Sequence, residues 1–261
     1  GSKPIVKGDF TGGFLHAGVS ELTMAALMNG MALHGGVIPV CGTFFVFSDY
    51  MKPVIRMSAL MELPVKYVFS HDAFRVGEDG PTHQPIEQEA QIRLLEQIKN
   101  HSGVNSTLVL RPADVDETTV AWKLALENKK TPSVLILSRQ NVKSIESENR
   151  YQEALSAAKG AYIIKKTDNK PDVVLIANGS EVSTLIEAGK ILDKKGIAYQ
   201  IVSVPSEGLF FEQDLAYQES ILPPQVPVFG LTAGIPSAMI RLVGAKGKVF
   251  GLGHFGYSAP F

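Results

Sequence analysis

Strand-like and helix-like segments alternate along the first half of the chain, and this alternation constrains the fold more than any other feature. Four short apolar runs have the length and composition of buried strands: residues 37–40, 65–70, 107–110 and 134–137. Longer helix-like segments separate them, at residues 50–61, 86–100 and 115–128. A chain that alternates in this way forms a parallel sheet covered by helices on both faces. We therefore predict an α/β fold, with a buried helix at residues 21–33 before the first strand.

The second half of the chain repeats this pattern. Further strands are predicted at residues 172–177, 198–203, 226–231 and 248–252, and Ser180 can cap a helix that Gly196 ends. Polar, charged stretches at residues 143–152 and 165–170 break the hydrophobic pattern. We predict two domains, residues 1–150 and residues 151–261, each a mostly parallel sheet flanked by helices.

Composition excludes several classes of protein. The 261 residues are 45% hydrophobic and 20% charged, which is typical of well-buried globular structure and not of disorder. A formal charge of −1 and the absence of long Lys/Arg clusters argue against a nucleic-acid partner. The single cysteine, Cys41, excludes an internal disulfide and favours the cytoplasm. No apolar run reaches the length of a membrane span, so we expect no membrane partner.

The loop at residues 77–85 crowds polar side chains onto a segment too rich in Gly and Pro to be a helix or a strand. It contains Glu78, Asp79, His83 and the amide of Gln84, and it follows a predicted strand that ends at His71-Asp72. Ligands enter open α/β sheets at such strand ends, so the loop is a candidate site. The alternative is a turn in which Asp79 caps a helix and His83 bonds to a backbone carbonyl.

Three aromatic residues follow the first predicted strand at intervals of three. Phe44, Phe47 and Tyr50 fall on one side of a helical or turn-like segment, where their rings can sandwich another flat ring. Such a group more often belongs to a hydrophobic core.

These motifs together resemble the pyrimidine-binding domain of transketolases. The motifs come in the order and near the spacing of that family: GVSE at 18–21, LHGG at 33–36, GTFFVFSDY at 42–50, HD at 71–72, GEDGPTHQP at 77–85, RP at 111–112 and LSRQN at 137–141. The second half is similar to the C-terminal domain of the family through IANGSEV at 176–182 and FGYSAP at 255–260. The resemblance implies a transferase of the pentose phosphate pathway, which moves a two-carbon ketol unit from a ketose phosphate to an aldose phosphate.

The resemblance also implies thiamin diphosphate as the cofactor. Glu21 matches the catalytic glutamate, which keeps a nitrogen of the cofactor's aminopyrimidine ring protonated. Phe47 matches the residue that stacks on this ring, and Phe44 and Tyr50 lie beside it. The family's usual Arg before this glutamate is Ser20 in this chain. Without the resemblance, Glu21 would be an ordinary acidic residue in the first turn of a helix.

Four polar residues match the substrate-facing set of the family. His83 corresponds to a catalytic proton-transfer residue, and Asp79 to a residue on a substrate hydroxyl. His71 and Arg139 match residues that face the substrate phosphate, for which a guanidinium group is well suited. From the residues alone, Arg139 would be interpreted as a surface Arg in an ion pair.

The family holds the cofactor diphosphate through a divalent metal, Mg²⁺ or Ca²⁺, in a separate N-terminal domain. The Gly-Asp-Gly and Asn motif of that domain is absent from the sequence, so we predict no metal ligands in this chain. We expect a fragment of a longer polypeptide, with the N-terminal domain supplied by the same or another chain. The resemblance further implies a homodimer with its site between two subunits, and an isolated fragment that is inactive.

Three alternatives remain open at this point. Deoxyxylulose-phosphate synthases and the β-subunits of 2-oxoacid dehydrogenases share these two domains, although residues 77–85 and 137–141 favour transketolase. The third is a binding or assembly module that carries a relic site.

Overall fold

The computed structural model describes residues 3–259 and contains two sheets whose strands alternate with helices. The first sheet and its helices comprise α1 (Glu21–His34), β1 (Val40–Phe44), α2 (Ser48–Leu60), β2 (Lys66–Ser70), α3 (Gln88–Glu96), β3 (Leu108–Leu110), α4 (Val115–Glu127) and β4 (Ser133–Ile136). Two 3₁₀ helices, Phe45–Phe47 and Gly77–Thr82, follow β1 and precede α3.

The first sheet is parallel throughout and has the strand order β1-β2-β4-β3. Tyr67 of β2 lies between Cys41 of β1 and Val134 of β4, and all three side chains are buried in one core. Because the strands are parallel, their carboxyl ends meet at one edge of the sheet. The segments that follow β1 and β2 therefore lie next to each other.

The first strand lies further along the chain than the sequence predicts. We predicted residues 37–40, but β1 spans Val40–Phe44 and Val37 is 54% exposed. The strand continues through Gly42, where a Cβ atom would come to 2.6 Å from the carbonyl oxygen of Val68. Gly at this position therefore permits close approach of β2, although Gly is rare in the interior of strands.

The second sheet has the strand order β5-β7-β6-β8-β9. Its elements are α5 (Arg150–Ala154), β5 (Tyr162–Lys166), β6 (Val173–Ala177), α6 (Glu181–Lys194), β7 (Tyr199–Ser203), α7 (Glu207–Phe211), α8 (Leu215–Ile221), β8 (Val228–Leu231), α9 (Ile240–Val243) and β9 (Lys248–Phe250), with 3₁₀ helices at Leu155–Lys159 and Pro236–Met239. β5 pairs antiparallel with β7, and the other pairs are parallel. The predicted class, two mostly parallel sheets flanked by helices, is confirmed.

Backbone hydrogen bonds join the two halves. The N–H of Arg111 donates to the carbonyl of Pro205 (2.9 Å), and the N–H of Gly179 donates to the carbonyl of Arg111 (3.1 Å). The predicted boundary after residue 150 remains a prediction. Arg150 begins α5, and its guanidinium group binds Asp114 at the start of α4 (Nε to Oδ2, 2.7 Å).

Candidate functional site

An aromatic wall stands at the carboxyl end of β1. Phe44 ends the strand, Phe47 ends the 3₁₀ helix, and Tyr50 lies in the first turn of α2. In a 3₁₀ helix, side chains three residues apart point the same way. The rings of Phe44 and Phe47 are accordingly near-parallel (12°, centroids 6.2 Å apart), and Tyr50 continues the series 6.1 Å from Phe47. Phe45 points instead into the core, onto Phe69. The buried Phe45 ring thus anchors the 3₁₀ helix that carries the wall. At the other end of the wall, Tyr50 is 61% exposed.

His71 stacks on this wall directly after β2. The centroid of its imidazole ring lies 3.5 Å from the centroid of the Phe44 ring, at an interplanar angle of 17°. Its φ of 58° is left-handed, which is uncommon outside Gly, although His adopts it more readily than most residues. Such strained backbone clusters at functional sites. Burial lowers the pKa of His71, and the positive charge of Arg139 acts in the same direction. Near neutral pH, the ring is therefore an uncharged hydrogen-bonding group.

The loop at residues 77–85, which we call the polar loop, brings a second imidazole to the wall. His83 meets the ring of Phe47 edge-on, at 5.3 Å and 77°. Its Nδ1 pairs with Oγ1 of Thr82 (2.8 Å), and not with the backbone carbonyl of the alternative interpretation. Asp79 is exposed, and its carboxylate raises the pKa of His71 electrostatically, against the dominant effect of burial. It does not cap α3, whose N-terminus has no side-chain cap.

The other two residues of the predicted site are placed differently. Arg139 is exposed and follows β4, close enough to His71 to affect its titration. Glu21 is the first residue of α1 and is half-buried. Within residues 3–259, no hydrogen bond, ion pair or ring contact joins Glu21 to the aromatic wall or to the two histidines. The structure thus groups seven of the eight predicted residues by contact or by charge, and leaves Glu21 separate.

A buried charge cluster that sequence reasoning missed begins at Asp72, the residue after His71. Arg111 is 1% exposed and binds Asp72 (Nη2 to Oδ2, 2.7 Å) and Glu181 (Nη1 to Oε2, 2.6 Å). It also donates to Oδ1 of Asn178 (2.5 Å). A Cβ atom at residue 179 would lie 2.8 Å from this guanidinium group, so Gly179 is required for the approach. The usable signal was that Asp72, Arg111 and Asn178 each follow the end of a predicted strand.

Neither a membrane helix nor a metal cluster is found in the described part of the chain. No helix within residues 3–259 is both long and apolar enough to cross a bilayer. The same residues contain no group of three or more His, Cys, Asp or Glu side chains that could hold a metal ion.

Comparison with known families decides where this chain belongs. The model of the transketolase pyrimidine-binding domain matches residues 5–144, and that of the transketolase-like C-terminal domain matches residues 160–261. The chain belongs to the transketolase family. The resemblance inferred from the sequence motifs is therefore confirmed.

Relatives and solved structures agree with this placement. Transketolase 1 of Vibrio parahaemolyticus is 42% identical over 261 residues, which is all of this chain and 38% of that protein. A transketolase structure from Leishmania mexicana has a TM-score of 0.84 at 34% identity, over 99% of this chain and 36% of that one. A Pichia stipitis transketolase, in complex with sedoheptulose 7-phosphate, has a TM-score of 0.82 at 37% identity, over 97% of this chain and 35% of that one. The chain thus spans little more than a third of the length of these transketolases.

Proposed function

We propose that this chain is the pyrimidine-binding and C-terminal part of a thiamin-diphosphate-dependent transketolase. The complete enzyme would transfer a two-carbon ketol unit from a ketose phosphate to an aldose phosphate. The observation that carries the proposal is the aromatic wall with two imidazoles against it, in a member of the transketolase family.

The aromatic wall fits the flat half of the cofactor. Phe44, Phe47 and Tyr50 present near-parallel rings, none of which is buried, and flat rings stack on such a surface. When bound, thiamin diphosphate supplies a carbanion-stabilising centre at C2 of its thiazolium ring. The part of this chain is to hold the aminopyrimidine ring against Phe47.

Glu21 is proposed to hold a proton at a nitrogen of that ring. A carboxylate at the first residue of a helix is a suitable group, because the helix N-terminus stabilises its negative charge. Ser20, which precedes α1, directs its hydroxyl to the carbonyl of Ala17 (2.7 Å) and does not cap the helix. The N-terminus of α1 is therefore left without a side-chain cap next to Glu21.

The polar residues divide into two proposed roles on the substrate. His83 would transfer protons at the reacting hydroxyls, and Asp79 would accept a hydrogen bond from a sugar hydroxyl. Arg139 would bind the phosphate by charge and by its planar fork of donors. His71 would add a neutral hydrogen bond to the phosphate, because its lowered pKa keeps it uncharged near pH 7.

The complete enzyme also requires partners for this chain. We propose that an N-terminal domain supplies the diphosphate site with Mg²⁺ or Ca²⁺, and that the enzyme is a homodimer. The N-terminal domain and the second subunit could contact apolar side chains of α1, where Leu22, Leu27 and Leu33 are 52%, 45% and 64% exposed. Exposed apolar surface of this kind is typical of interfaces. We also propose a cytoplasmic location, supported by a buried thiol at Cys41.

Two assays on the complete protein test the function. We expect ketol transfer between xylulose 5-phosphate and ribose 5-phosphate, and no decarboxylation of pyruvate. Pyruvate decarboxylation would favour the related synthases or dehydrogenase subunits instead. Absence of both activities, in a protein that binds thiamin diphosphate, would favour a binding module with a relic site.

A further inference from the structure

Near its C-terminal end, the chain returns to the polar loop at residues 77–85. Residues 254–258, which we call the C-terminal segment, lie beyond β9 and outside both sheets. The hydroxyl of Ser258 donates to the backbone carbonyl of Glu78 (2.5 Å). The amide of Gln84 donates to the carbonyl of Tyr257 (3.3 Å) and to the carbonyl of Phe74 (2.9 Å). Residues more than 170 positions apart are thus joined.

Two glycines permit the close contact between the loop and the C-terminal segment. Gly80 has a φ of 73°, and a Cβ atom there would lie 3.0 Å from Cβ of Ser258. At Gly256, a Cβ atom would overlap Oε1 of Gln84. Gln84 itself is 7% exposed. The loop and the C-terminal segment therefore each contribute one glycine to the contact. A larger side chain at residue 80 or residue 256 would force the two apart.

The positions of the contacts bracket the polar residues of the loop. Ser258 holds the loop at residue 78, and Tyr257 holds it at residue 84, so Asp79 and His83 lie between two fixed points. The intervening Gly77–Thr82 helix has non-helical backbone at Gly80 and no side-chain cap at its N-terminus. Local bonds reach His83 only through its neighbours: Oγ1 of Thr82 donates to the carbonyl of Asp79 (3.3 Å), and the N–H of His83 donates to the carbonyl of Gly80 (3.0 Å). Because Gly80 lies directly against Ser258, the placement of His83 also depends on contacts from outside the loop.

We propose that the C-terminal segment positions the polar loop, and that Ser258 is a positioning residue for His83 and Asp79. This inference rests on the proposed function, in which the side chains of the loop act on the sugar. The second half of the chain would then contribute to the reaction, because the loop belongs to the first half and the C-terminal segment that holds it belongs to the second.

Kinetics of the complete enzyme test the effect on catalysis. A neutral hydrogen bond of this kind is typically worth a few-fold, and at most about tenfold, in an equilibrium. We expect Ser258→Ala to lower kcat roughly three- to tenfold for phosphorylated and unphosphorylated sugars alike, with little change in KM. Ser258→Thr keeps the hydroxyl and should restore most of kcat. Ser220→Ala is the matched control, since it also removes a hydroxyl that donates to a backbone carbonyl, that of Tyr217 (2.7 Å).

Hydrogen–deuterium exchange of this chain tests the contact between the C-terminal segment and the loop, and it needs no activity assay. We expect Ser258→Ala to speed exchange of the amides at residues 77–85 several-fold, and Gly256→Ala to do so more strongly, because its new Cβ atom displaces Gln84. Ser220→Ala should leave these amides unchanged. Unchanged exchange in both segment variants would overturn the inference, as would an unchanged kcat of Ser258→Ala in an active enzyme. If the wild-type enzyme has no ketol transfer, the proposed function fails, and the exchange result still decides whether the segment holds the loop.

Discussion

Replacing Glu207 with Gln should stabilise the folded chain, and the gain should grow with pH. Glu207 begins α7 at the contact between the two halves and is 2% exposed. Its Oε1 atom lies 3.8 Å from Nε of Arg93 and forms no hydrogen bond within the described residues. The guanidinium group of Arg93 already donates to Glu89 and Glu96. Glu207 is therefore a buried carboxyl group with little to compensate a negative charge.

The magnitude follows from the titration of this carboxyl group. Burial raises the pKa of Glu207 from 4.5 to about 8, with Glu96 and Glu89 adding to the effect and Arg93 and Arg241 opposing it. Between these two values the folded chain keeps a proton that the unfolded chain has lost, so wild-type stability falls by about 1.4 kcal/mol per pH unit. This contribution is fully present below pH 4.5 and is lost as the pH rises through 8. Gln has the shape of the protonated acid and does not titrate. We expect the variant to gain about 1 kcal/mol at pH 5 and about 3 kcal/mol at pH 7.

Urea unfolding followed by circular dichroism at pH 5 and pH 7 measures both gains. Glu212→Gln is the control, because Glu212 follows the same helix but is exposed, in an ion pair with Lys99 (3.3 Å). Its effect should stay within about 0.5 kcal/mol at either pH. Equal gains for Glu207→Gln at both pH values, or a loss at pH 7, would refute the reasoning.

The remaining predictions concern one buried base, the substrate residues and the cofactor. Lys66 is fully buried, and burial lowers its pKa from 10.5 to about 8. Between these values only the unfolded chain keeps the proton, so wild-type stability should rise with pH, by up to about 3 kcal/mol. Lys66→Met should abolish this rise in urea unfolding. Arg139→Ala in the complete enzyme should raise KM for phosphorylated sugars about ten- to a hundredfold and spare unphosphorylated ones, because a charge-assisted phosphate contact contributes roughly 1.5–3 kcal/mol; equal weakening of both would remove Arg139 from the site. His83→Ala should lower kcat for both kinds of sugar, and an unchanged kcat would contradict its role in proton transfer. Calorimetric titration of this chain with thiamin diphosphate and Mg²⁺ should find at best weak binding, since the chain spans 38% of its Vibrio parahaemolyticus relative; submicromolar affinity would require about 8 kcal/mol from part of a site.

Local patterns predicted most of the fold because each strand and helix carries its own signal. The apolar runs at β2, β4, β6 and β7 were found close to their observed bounds. The predicted end of the first strand at residue 40 was wrong because Gly42 has low strand propensity, and only the neighbouring Val68 explains its presence in the strand. A single-sequence pattern does not contain that neighbour.

Contacts between distant segments could not be predicted in the same way. The ion pairs of Arg111 join Asp72 after β2 to Glu181 in α6, and the bond of Ser258 to Glu78 joins residues 180 positions apart. Such pairs depend on how the two sheets pack, which hydrophobic periodicity does not encode. The spacing of the aromatic residues did predict their common side, because it depends only on local helix geometry. The position of Glu21 relative to the aromatic wall rests on family resemblance.

The most direct test of the central claim is proton exchange at C2 of thiamin diphosphate bound to the complete protein. Glu21→Gln keeps the shape of the side chain and removes the charge that would hold the pyrimidine nitrogen protonated. Exchange should therefore slow by roughly two to four orders of magnitude, while unfolding by urea stays nearly unchanged. Glu187→Gln, in an exposed ion pair with Lys190 on α6, is the control and should exchange at the wild-type rate. A wild-type exchange rate in Glu21→Gln, with cofactor bound, would contradict the account.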